Sequence, residues 1–123
     1  MVVNLYAKIP ARHPGAHPSS YFTGSARSVE WAISHGAAAL AIHATLGLVV
    51  VVLAIAVALS AVRGANRAVK IWLILAAGLV IGAGFNGASF LDFNHDASSL
   101  LMALLALGSV VCYTIALFLL AEA

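Results

Sequence analysis

Charge is nearly missing from this sequence. Asp, Glu, Lys and Arg together make up 8% of it, against 63% hydrophobic residues, and the mean hydropathy is +1.07. Soluble domains carry about 25% charged residues, so a water-soluble globule would lack the polar surface to cover itself. The formal net charge of +2 is too small a field to hold nucleic acid. With a single cysteine, Cys112, no intramolecular disulfide is possible. Cys112 lies in an apolar run away from any cation, which suits a small packing residue rather than a reactive thiol. No phosphate-cradling Gly-rich motif occurs, and no serine stands in a recognisable motif with a histidine and an acid. The first residues hold no apolar core of the kind a cleavable signal peptide needs.

What the chain does have is long uncharged runs, at 31–62, 71–91 and 97–121. Each exceeds the roughly 20 residues that a helix needs to cross about 30 Å of hydrocarbon. The runs predict an all-α, integral membrane fold: a three-helix transmembrane bundle over 29–123, with spans at about 31–62, 69–91 and 97–121. An extended extramembrane tail, 1–28, precedes it, polar and punctuated by proline and histidine. Ser28 followed by Glu30 suits an N-cap and a first-turn acid, so the first helix is expected to start above the membrane and enter it near Gly36. Asp96 is placed to cap the third.

Arg63, Arg67 and Lys70 crowd the link between the first two spans with no acid to offset them. The positive-inside rule puts that link in the cytoplasm. The expected setting is the plasma membrane, with the N-terminus outside and the C-terminus inside. Glu30, Asp92 and Asp96 then fall on the outer side, with Arg27 the only base near a span there.

All five histidines also gather at that outer end: His13, His17, His35, His43 and His95. An imidazole in a bilayer is costly unless paired, liganded or wet, so this end is the place to look for a site. At 1.5 Å per residue, His43 lies roughly 10 Å below Gly36 and Asn86 roughly 8 Å below Leu91. The two are near the same depth, within reach of a hydrogen bond between neighbouring helices. His35 sits above His43 on an adjoining face, and His95 at the mouth of the third helix. Gly78 and Gly82, four apart, put two small residues on one face, where a neighbouring helix can approach closely.

Four uses of this cluster follow from the residue types. One is a polar network clamping the helices in register, with Asn86 satisfying His43. A second is b-type haem, which takes neutral imidazoles from two helices; His43 and His95 are the best pair, and Gly82, Gly84 and Gly87 make room for the plane. The string His43-Ala44-Thr45-Leu46-Gly47 resembles, over five residues, the haem-bearing helices of membrane b-type cytochromes and haem A synthases. Those families generally use four or more helices, so the resemblance implies a partner or self-association here. A third is surface copper or zinc held by His13 and His17 with His35 or Asp92. The fourth is a quinone or lipid headgroup, met by His and Asn donors. Asp92-Phe93-Asn94-His95-Asp96 has the one-three-five oxygen spacing of a calcium loop but not its glycine or glutamate.

The inner halves of the spans hold no ionisable residue, so no polar path for a channel or transporter crosses the membrane. Small-residue faces beyond what three spans consume, and a tail too short to fold alone, point to a non-catalytic accessory or assembly subunit of a larger membrane complex of the bioenergetic kind. A membrane cytochrome is the alternative, and metal binding by the tail histidines a second one.

Overall fold

The computed structural model describes residues 9, 10, 12–93 and 95–122. Four helices account for most of them: α1 Tyr21–His35, α2 Ala38–Gly64, α3 Arg67–Phe93 and α4 Asp96–Ala121. The last three are long and apolar enough to cross a membrane. In hydrocarbon every backbone N–H and C=O must be bonded within the segment, which leaves the helix as the form an apolar run takes. The fold is a transmembrane helical bundle, as the hydropathy implies.

The first uncharged run is not one helix. It breaks at Gly36, whose backbone is extended (φ −69°, ψ 161°) and where a Cβ would strike the Ala32 carbonyl. Beyond the break α2 starts at Ala38; before it, α1 reaches back through Ser28 to Tyr21. Ser28 is therefore mid-helix and Ser20 is the N-cap residue. The cause is tertiary. Gly24, Ser25, Ser28 and Ala32 form a buried small-residue face, which lets α1 lie directly against α2 and α3.

The three spans stand in a row with α3 in the middle. It packs against both α2 and α4, whereas no Cα of α2 lies within 8 Å of α4. Glycine sets the close approaches. A Cβ at Gly87 would lie 3.1 Å from Met102 Sδ, and one at Gly82 would lie 3.3 Å from Leu105 Cδ1, both on α4. Gly84 faces the other neighbour, 3.3 Å by the same measure from Val51 Cγ2 of α2. Gly78 meets nothing within 4 Å, so of the expected Gly78–Gly82 pair only Gly82 serves the packing. Ala54, Ala77 and Val80 form a buried cluster between α2 and α3, joined by Tyr113 of α4. Cys112 is buried.

The α2–α3 link is short. The Ala65 N–H donates to Ala61 O at 3.1 Å, and Asn66 Oδ1 accepts from the Val69 N–H at 3.0 Å, capping α3. At the other end α4 begins after His95, with Asp96 in its first turn rather than at the cap. An acid there still favours the helix dipole. Between His43 and Arg63 run about 20 residues, or about 30 Å of helix, which equals the hydrocarbon thickness. α2, at 27 residues, is longer than a crossing needs, and His43 lies in its first turns, toward α1.

Candidate functional site

At the α1 end of the bundle the chain preceding α1 folds back as a strap. His13 anchors it. Its ring stacks on Trp31 with centroids 4.6 Å apart and planes at 17°. Nε2 lies 3.0 Å from Leu91 O and Nδ1 3.1 Å from Pro14 O. Both carbonyls only accept, so a neutral ring satisfies one of them and a protonated ring both. A tight turn follows, with Ala16 N–H on His13 O, Gly15 at φ +96° and His17 at φ +49°. A Cβ at Gly15 would collide with Ser28 and with Gly24 O, so only glycine lets the strap close on α1. The His17 N–H then donates to Asp92 O at 3.0 Å, while the His17 ring meets Phe93 edge-on at 6.1 Å.

The residue at the centre of this arrangement is Asp92. It is 1% exposed, and Ser25 Oγ of α1 donates to its Oδ2 at 2.8 Å. Its Oδ1 has no partner among the described residues, and neither has the Ser28 hydroxyl. Nearer the start of α1, the Tyr21 hydroxyl donates to Phe85 O at 3.1 Å and lies 2.7 Å from Ser89 Oγ. Tyr21, Phe22 and Phe85 form an aromatic cluster with centroids 5.6 to 6.4 Å apart. Phe22 is 73% exposed, which suits an interfacial ring facing lipid.

The imidazoles do not converge. His43 is exposed and makes no hydrogen bond among the described residues. Asn86 Nδ2 donates instead to Gly82 O of its own helix at 2.9 Å. His95 is exposed, with its ring 6.4 Å from that of Phe93. His35 is exposed too, with Nδ1 2.7 Å from Ser34 Oγ, and Ser34 in turn donates to Glu30 O. His13 and His17 are spent on the strap, the first through its ring and the second through its backbone. Among the described residues no three His, Cys, Asp or Glu side chains gather to hold a metal ion. The calcium-like string fares no better, because its Asp92 is turned into the α1 contact and its Asn94 lies outside the described residues.

What sequence reasoning missed was the partner set of Asp92: Ser25, Ser28, Gly15 and the strap. The signal was the run of small residues at 24, 25, 28 and 32, a helical period within a stretch taken for a tail. No protein-family model, curated protein or solved structure matches this chain.

Proposed function

We propose that this chain is a non-catalytic accessory subunit of a larger membrane complex, with α1 and the strap as its outer face and the Arg63–Lys70 link in the cytoplasm. The observation that supports the reading most is small residues left open to the membrane. Gly47 and Gly78, both within spans, meet nothing within 4 Å. Gly78 lies in an apolar groove of about 380 Å³ between α2 and α3, lined also by Ile55, Ala58, Leu59, Ile74 and Ala77. Lipid tails give little reward for such hollows. In membranes small residues are favoured where another helix backbone approaches, and a row of three spans leaves both flanks of α3 accessible beyond its neighbours. The Arg63, Arg67 and Lys70 cluster supports the orientation.

The test is purification from native membranes in a gentle detergent. A subunit elutes with other membrane chains at fixed stoichiometry, and Gly78→Leu, which fills the groove, strips them off while leaving this chain folded. Elution of the wild type as a lone monomer refutes the reading.

A further inference from the structure

We propose that Asp92, with the hydroxyls of Ser25 and Ser28, forms a binding site for one sodium ion beneath the strap. The position of Asp92 suits a neighbouring positive charge. Asp92 is 1% exposed, and it is the next-to-last residue of α3. A buried carboxylate calls for a partner, and the C-terminal end of a helix is where a positive charge is favoured. Among the described residues no cation answers it. Arg12 and Arg27 are both exposed, the His13 ring nitrogens are turned to the Leu91 and Pro14 carbonyls, and His17 offers Asp92 only its backbone N–H. Ser25 supplies one hydrogen bond, to Oδ2, and Oδ1 is left with no donor.

The second observation is Ser28. It is 0% exposed with an unpartnered hydroxyl, and it sits one turn from Ser25 on the same buried face of α1. The strap covers both groups: Gly15 lies against Ser28, and two residues on, His17 is bonded to Asp92 O. Beneath one cover lie an acceptor and a hydroxyl with no partner among the described residues, both oxygens that a cation can use, and each would be costly left unpaired.

The donor set selects the ion. It is all oxygen, which favours hard cations over zinc or copper. It carries one negative charge, which balances a monovalent ion and leaves a calcium ion, with its several carboxylates, half compensated. Helix C-terminal ends beside a cavity serve sodium in membrane proteins for the same dipolar reason. The site stands at the closed α1 end and exists whether or not another subunit docks on the lipid-facing groove.

The experiment is thermal unfolding of the full chain in detergent, titrated with NaCl against choline chloride at constant ionic strength, with KCl as a third series. Sodium binding to the folded state alone raises Tm saturably. Ser28→Ala raises the half-saturating sodium concentration about tenfold, the effect of one lost oxygen ligand, and Asp92→Asn abolishes the response. Isothermal titration with NaCl gives one site per chain. Superimposed sodium and choline curves in the wild type overturn the proposal, and that measurement needs no variant to fold. A Tm that rises on acidification but ignores sodium overturns it in favour of a proton on Asp92. An Asp92→Asn protein as stable as the wild type, with no sodium response in either, overturns it in favour of a trapped water.

Discussion

The His13 ring is clamped between Trp31, on which it stacks at 4.6 Å, and Leu91, whose carbonyl it reaches at 3.0 Å. One side chain thus joins the strap to α1 and to the end of α3. Removing it in His13→Ala loses a stacked contact and a hydrogen bond, each about 1 kcal/mol. The strap is expected to lift while the spans remain. Hydrogen exchange at the Ala16 and His17 amides, which bond to His13 O and Asp92 O, should accelerate while α3 stays protected. His13→Phe, which keeps the stack, should release the strap less.

The glycines of α3 divide into two kinds. Gly87→Leu forces a side chain onto Met102, which a Cβ alone would approach to 3.1 Å, and overpacking of this sort costs about 1–3 kcal/mol. Gly78→Leu points into open space and should leave the unfolding temperature of the isolated chain within the narrow range of surface substitutions, about 0.5 kcal/mol. Thermal melts of the two variants in one detergent check the contrast. Equal destabilisation would mean that the α3–α4 contact is not the tight one.

Orientation is open to a direct test. In a Cys112→Ala background, a cysteine at Ser19 should react with an impermeant maleimide added to intact cells, and one at Ala65 only after lysis. The reverse pattern would put the Arg63–Lys70 link outside and refute the orientation.

His43 separates the subunit reading from a cytochrome. Exposed in the first turns of α2, it should tolerate His43→Leu with a change of about 0.5 kcal/mol or less. The protein expressed with ample haem should show no Soret band. A Soret band that disappears in His43→Leu would favour the cytochrome instead.

The spans were legible because run length and hydropathy do not depend on which neighbour a helix meets. Position along each helix was legible for a similar reason, because the rise per residue is the same whatever the packing. Direction around the helix was not. Asn86 satisfies its amide on Gly82 O, one turn back, and that local option removes the need for an imidazole across the interface. The first half of α1, before Ser28, escaped notice because Ser, Gly and Thr are weak helix formers and its helical state follows from docking. Asp92 reads from the sequence as a metal-ligand candidate because nothing in its own neighbourhood reveals Ser25, Ser28 or the strap.

The attachment of α1 to the far end of α3 has a consequence for biogenesis. Tyr21 through His35 are made before Ser89, Leu91 and Asp92, the groups they settle on, which come only at the end of the second span. The docking of α1 therefore has to follow the synthesis of the second span, and it does not depend on α4, which α1 does not touch.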